Sequence, residues 1–484
     1  MYCSHLLSGD IKLPNTSLDP ENWEGLRASA HDMLDAALDK MQAATEGPVW
    51  NPFPDNLKQS LKVDLPREGI GVARTQQAVQ SLLPYGLGNT HPRFFGWVHG
   101  AGTPGGVVAD IAAAAMNANL GGRDHGAIYV ENQVIDWVRA LFEFPAGASG
   151  LVVSGTSMAT VVALKVARDV KLAFANQQAG QGVVELVGYT SVQTHNCVAR
   201  AFDLLGLGTD ALRLIGVGEN FEMDIPALKA AIAADKSAGK TPFCIVGTAG
   251  SVNVGAIDDL DAIADIAGVE DIWFHIDGAF GASLMLSEEM RPRLNGITRA
   301  DSLAFDFHKW WHVNYAVGFV LIRNGADHLR SFMMQAEYLA GQKRGLAAGG
   351  PWPTDYGPEL SRGFRALKVW SVLMEHGADK LGASINHNCE LAQKLGRKIA
   401  VEPQLELCAP VALNIVCFSY KSARVDINDE IVMELQTRGI AAPSSTIING
   451  QTVIRMCIAN HRTTQADIDV TLAEILRLGY ELSN

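Results

Sequence analysis

Apolar residues recur at three- and four-residue spacing near the start of the chain, at Trp23, Leu26, Ala30, Met33, Leu34, Ala37, Leu38 and Met41, which predicts one amphipathic helix. Asp19 and Pro20 open it as a cap followed by a first-turn proline, and Gly47-Pro48 with the run Asn51-Pro52-Phe53-Pro54 ends it. From residue 151 the period changes. Short apolar runs at 151–153, 183–189, 211–215, 243–246, 272–276 and 302–305 alternate with helical patterns at 158–173, from Asn196 and from Pro226. That alternation is the βα rhythm of a parallel sheet covered on both faces, so the fold class is α/β. A second change follows: strands at 411–418, 441–447 and 453–458 and helices at 427–437 and 464–478 make a small α+β unit. The chain thus divides into an N-terminal helical segment (1–90), a large domain (91–374) and a small C-terminal α+β domain (375–484).

Composition narrows the function classes. With 484 residues and 48% hydrophobic content the chain can bury a large core, and a net charge of −13 without any basic run argues against nucleic-acid binding. The seven cysteines (Cys3, Cys197, Cys244, Cys389, Cys408, Cys417, Cys457) are scattered, without a CxxC pair, as in a reducing compartment. The opening MYCSHLLSGDIKLPN lacks a basic start and a sustained apolar run, so a cytoplasmic location is expected. The most apolar long stretch, 105–120, carries Asp110, Asn117 and Asn119 and is too short and polar to span a bilayer.

The candidate chemistry sits at strand ends. The run at 272–276 stops at Asp277, as a buried parallel strand does when it delivers a carboxylate to its C-terminal edge, where ligands bind in such sheets. The run at 302–305 leads to Lys309, followed by Trp310 and Trp311; an ammonium among aromatics is expected to lose its proton easily. A neutral amine attacks an aldehyde and a strand-end Asp holds a pyridine nitrogen protonated, so the two together fit pyridoxal phosphate. Singly, the Asp is as readily a turn former and the Lys a packed stem with a solvated head. The run at 151–153 leads through Ser154-Gly155-Thr156-Ser157 into a helix, a strand-turn-helix anion site. The loop HPRFFGWVHGAGTPGG offers Phe94, Phe95, Trp97 and His99 as pocket walls, with His91 and His125 as further candidates. A rival reading takes His275, Asp277, His308 and His312 as ligands of a metal-dependent hydrolase; Lys309 would put a cation in its middle, and no metal is expected.

Asp277-Gly278-Ala279 and then His308-Lys309-Trp310 resemble the group II pyridoxal-phosphate decarboxylases, which include aromatic-L-amino-acid, histidine and glutamate decarboxylases. The resemblance implies a fold-type I enzyme with a mostly parallel seven-stranded sheet, assembled as a homodimer with the N-terminal helix lying on the partner. Without it, packing of that helix on its own large domain is equally open. It further implies that Lys309 carries the cofactor, Asp277 holds the ring nitrogen, and Thr156 and Ser157 bind the phosphate. His195, in THNCVARA, would stack on the ring; Thr248, Ala279 and His308 would complete the cofactor site. Tyr338, of the Tyr338-Leu339 pair in the glycine-rich stretch 333–356, would protonate Cα, with Tyr356 as rival. The helix linking to the small domain would begin at Leu360, and Ser361 would join Trp97 and His99 against the substrate. Arg455 would be a substrate contact or an exposed ion pair. Four positions depart from the pattern: Asp306-Phe307 replaces a frequent Asn-Pro, Gly363 a second Arg, and Met158 a Glu. The expected reaction is decarboxylation of an L-amino acid, aromatic or related, with aldehyde synthesis or transamination open to the same residues.

Overall fold

The computed structural model describes residues 16–333 and 342–484, which fall into two compact units, 1–44 with 51–87 and 45–50 with 88–484. The first unit is helical. Asn22 caps the helix Trp23–Gln42 by accepting from the Gly25 amide at 2.9 Å, and the predicted stripe forms, yet none of its residues is buried. Two shorter helices, Asp55–Ser60 and Val72–Gln80, complete the unit.

In the second unit seven strands form one sheet: β1 Ser149–Val153, β2 Leu186–Ser191, β3 Leu212–Ile215, β4 Thr241–Thr248, β5 Trp273–Asp277, β6 Ser302–Asp306 and β7 Gly318–Ile322. Their order is β1-β7-β6-β5-β4-β2-β3, parallel except for β7, which runs antiparallel to both β1 and β6. The sheet is therefore mostly parallel and seven-stranded, as the resemblance implies. Its central strands are buried end to end, which is why they read as continuous apolar runs rather than alternating ones. The aromatic rings of Phe142, Phe305, Phe307, Trp311 and Phe319 meet at 4.8–5.8 Å beneath β6, each worth about 1.5–3 kcal/mol of burial.

Four antiparallel strands make the smaller sheet, β8 Leu405–Leu407, β9 Ile415–Tyr420, β10 Ser444–Ile448 and β11 Gln451–Cys457, in the order β10-β11-β9-β8. The helices Ala378–Val401, Ile427–Thr437 and Gln465–Ser483 cover it, the last opened by a reciprocal Thr464–Asp467 capping box. β7 and β8 lie outside the runs picked from the sequence. The linking helix starts at Ala366 rather than Leu360. Arg362 is the reason: its amide donates to Asn119, its carbonyl accepts from Leu120, and its buried guanidinium bonds Glu131 (2.5 Å), Val152 O (2.6 Å) and Leu120 O (2.8 Å). In a helix begun at Leu360 the Arg362 carbonyl would accept along the axis from residue 366 instead of from Leu120. Among the described residues no helix is long and apolar enough to cross a membrane.

Candidate active site

The C-terminal ends of β1, β4, β5 and β6 and the turn after β2 enclose a cavity of about 490 Å³, lined among others by Ser154, Thr156, Ser157, His195, Thr248, Asp277, Ala279, His308 and Lys309. The cofactor residues expected from the sequence thus converge. The helix Thr156–Lys171 starts at the cavity with no side-chain cap of its own, and the Thr156 hydroxyl is buried without a partner. β7 presses on this turn so closely that a Cβ on Gly318 would stand 2.4 Å from the Gly155 Cα.

Asp306 fills part of the helix entrance. Its Oδ1 accepts from the Thr156 amide at 2.7 Å and its Oδ2 lies 3.0 Å from Lys309 Nζ. The expectation that Lys309 readily loses its proton is corrected here. Burial does work to lower its pKa, but the charge and hydrogen bond of Asp306, helped by Asp277, outweigh burial and raise it. Trp310 and Trp311, which suggested an apolar setting, are themselves buried, Trp310 donating to Asn388 at 2.9 Å.

Asp277 accepts from the Ala279 amide (3.1 Å) on one oxygen and from the Cys197 thiol (3.7 Å) on the other, leaving lone pairs for a ring N–H. His195 is lowered by burial first, with Lys309 opposing its protonation and Asp277 favouring it; its Nδ1 accepts from the Cys197 amide at 3.2 Å, so the neutral ring carries its proton on Nε2. Burial likewise lowers His308, whose Nδ1 lies 2.9 Å from the Val317 carbonyl oxygen and 3.1 Å from the Val317 amide. Thr248 is held by its amide to Asp258 at 2.8 Å, while its hydroxyl meets that of Thr194 at 3.4 Å.

The remaining candidates divide. Trp97 and His99 line the cavity, together with Tyr315, Phe280 and Val252, which the sequence reading did not single out. Ser361 is exposed and outside the lining. Tyr338 lies outside the described residues. Tyr356 packs on His328 (ring centroids 5.1 Å) beneath β1, away from the cavity. Arg455 is not exposed and, among the described residues, not ion-paired: it is buried and donates to the carbonyls of Trp97 (2.8 Å), Val252 (2.5 Å) and Asn253 (3.0 Å). Of the proposed metal ligands, His275 is buried with its Nδ1 on Ser302 (2.8 Å), and His312 is buried outside the lining; among the described residues no three such side chains converge.

Residues 54–421 match the model of the pyridoxal-dependent decarboxylase conserved domain. The chain is 34% identical over 473 residues to an aromatic-L-amino-acid decarboxylase of Bacillus atrophaeus, covering 95% of this chain and 96% of that protein. It is 30% identical over 408 residues to an L-2,4-diaminobutyrate decarboxylase of Rhizobium meliloti, covering 83% and 80%. The fold superposes with a TM-score of 0.88 on the crystal structure of Oryza sativa TDC with PLP and tryptamine, at 24% identity over 97% of this chain and 100% of that one.

Proposed function

The chain belongs to the pyridoxal-dependent decarboxylase family and is a pyridoxal-phosphate-dependent amino acid decarboxylase, and we propose that the amino acid it acts on has an aromatic side chain. The observation carrying the substrate reading is the cavity wall. Trp97, Phe280, Tyr315 and His99 line it, and among its described lining residues the one Lys or Arg is Lys309, already held by Asp306. An acidic side chain would find no free cation there. A basic one would compete for Asp277 and Asp306, both engaged.

The orphaned Thr156 hydroxyl at a helix N-terminus, the open lone pairs of Asp277 and the Lys309 amine fit the three ends of the cofactor. When bound, pyridoxal phosphate supplies an aldehyde for an amine and a ring that accepts electrons as carbon dioxide leaves. In our reading Lys309 would hold the aldehyde, Asp277 would keep the ring nitrogen protonated, and Thr156 and Ser157 would bind the phosphate at the helix dipole. His195, neutral, would pack on the ring, and Thr248, Ala279 and His308 would complete its site. Tyr338 would supply the proton that Cα takes up after carbon dioxide leaves. Measuring carbon dioxide release from each standard amino acid tests the substrate reading: activity confined to acidic or basic ones overturns it.

The assembly belongs to the same proposal. The uncovered stripe of Trp23–Gln42, with Trp23 52% exposed, supports a homodimer. Light scattering on a chain lacking residues 1–50 checks it, and a fully active monomer would refute it. Among the described residues six thiols are free and five of those are buried, which supports a cytoplasmic location.

A further inference from the structure

One pair of polar groups lines the cavity apart from the residues proposed to hold the cofactor. Tyr315 Oη lies 2.9 Å from His99 Nδ1, joining residues 216 positions apart. Either group can donate: with the phenol as donor the imidazole keeps its proton on Nε2 and the phenol oxygen keeps a free lone pair, and with Nδ1 as donor Nε2 accepts and the phenol O–H is free, so the pair presents one donor and one acceptor either way. His99 Nε2 has no hydrogen-bond partner among the described residues and is not buried. Burial first, then the charges of Lys309 and His308, push His99 down to about 4, so the imidazole is neutral at neutral pH. Gly100 sets the placement: a Cβ there would stand 2.1 Å and 2.2 Å from the carbonyl oxygens of His308 and Lys309. The loop can reach the lysine segment only with a glycine at this point.

The rings along this wall run outward in order. His308, next to Lys309, meets Tyr315 at 4.3 Å; Tyr315 meets His99 at 5.7 Å; His99 meets Trp97 at 5.9 Å, and Trp97 is half exposed at the mouth. A substrate whose amino group must reach Lys309 extends its side chain along this series. The Tyr315–His99 pair stands at the level of the side chain, offering one donor and one acceptor. A hydroxyl group satisfies both, because it donates and accepts. An unsubstituted ring satisfies neither.

We infer that Tyr315 and His99 read the far end of the substrate and select an aromatic ring bearing a hydroxyl over the same ring without one. The inference rests on the aromatic reading above. Both residues act on selection, not on bond breaking.

The test uses holoenzyme and two desamino analogues that cannot react, 3-(4-hydroxyphenyl)propanoate and 3-phenylpropanoate, with calorimetric binding, alongside kcat/KM for L-tyrosine and L-phenylalanine. One net hydrogen bond to a partly exposed neutral group corresponds to roughly tenfold tighter binding of the phenol. The same preference should appear in kcat/KM through KM. Tyr315→Phe should reduce both ratios to about twofold or less by removing the phenol from the pair, and His99→Leu should do so by removing the imidazole. Equal binding of the two analogues by the wild type, or a preference undiminished in Tyr315→Phe, overturns the inference. Equal turnover of both amino acids overturns it while leaving the aromatic reading intact; turnover of neither overturns the aromatic reading itself.

Discussion

Replacing Asp306 by Asn should accelerate cofactor capture. In the cofactor-free protein the Asp306 carboxylate, 3% exposed, lies 3.0 Å from Lys309 Nζ and 3.7 Å from His308 Nε2. Two unit charges at that separation attract by about 5 kcal/mol at an effective dielectric near 20, before the cost of desolvating them. The attraction favours the ammonium, whereas only the free amine attacks an aldehyde. Capture should therefore quicken as pH rises, and the carboxylate holds the midpoint of that rise at higher pH than Lys309 alone would show. The other titratable groups facing Lys309 are Asp277, which also favours the ammonium, the Cys197 thiol, pushed up by burial and so neutral, and His195, His99 and His308, each lowered by burial and so neutral. Asn keeps the volume and the oxygen that accepts the Thr156 amide, so the helix entrance survives. Removing an opposite charge at contact distance typically changes the reactive fraction by about tenfold or more, so capture at pH 7 should rise by at least ~10-fold and the pH midpoint should move to the acid side. The variant should also hold the cofactor more tightly, since the phosphate no longer shares the helix entrance with a carboxylate. Stopped-flow absorbance after mixing apoprotein with pyridoxal phosphate, across a pH series, reads both rate and midpoint. An unchanged rate and midpoint would show that Asp306 serves only as a helix cap.

Three further outcomes are expected. Borohydride treatment of the holoenzyme should fix the cofactor on Lys309, and peptide mapping that finds label on another lysine contradicts the assignment. Arg362→Met should cost about 3–5 kcal/mol in a denaturant titration, because Glu131, buried and already pushed toward its neutral form by desolvation, loses the guanidinium that opposes that shift. Tyr338→Phe should still bind cofactor and substrate but yield aldehyde and ammonia in air in place of amine; normal amine from that variant, with loss from Tyr356→Phe, would move the proton to Tyr356.

The convergence of the candidate site was legible because its residues sit within a few positions of strand ends, and a strand end is a local feature. Asp277 closes β5, Lys309 follows β6, and Thr156 begins the helix after β1, so the spelling of each segment carried its place at the cavity. What surrounds each side chain was less legible. Trp310 and Trp311 adjoin Lys309 in sequence, but their rings turn into the core against Phe280 and Phe305, while Asp306 is the residue that reaches the amine. The proton on Lys309 was misjudged for that reason. Tyr315 was missed because its place depends on long-range contacts: the Thr103 amide holds Asn314 at 3.1 Å, and Lys368 donates to the Tyr315 carbonyl at 3.1 Å. β8 is three residues long and β7 begins with a glycine demanded by its neighbour, so neither leaves a readable period.

Arg455 shows how the smaller sheet enters the site without touching the reacting groups. It lies on β11, and among the described residues no carboxylate pairs with it, so its charge is neutralised by carbonyl dipoles. Two of those carbonyls belong to Trp97 and Val252, which line the cavity from different segments. One guanidinium therefore fixes the distance between two walls, and the planar fork suits it to that task better than a lysine would be. The loop carrying Trp97 is held at its other end by Gly100 against the lysine segment. Between those two fixed points lies His99, so the same bonds that close the cavity also set where its free ring nitrogen points.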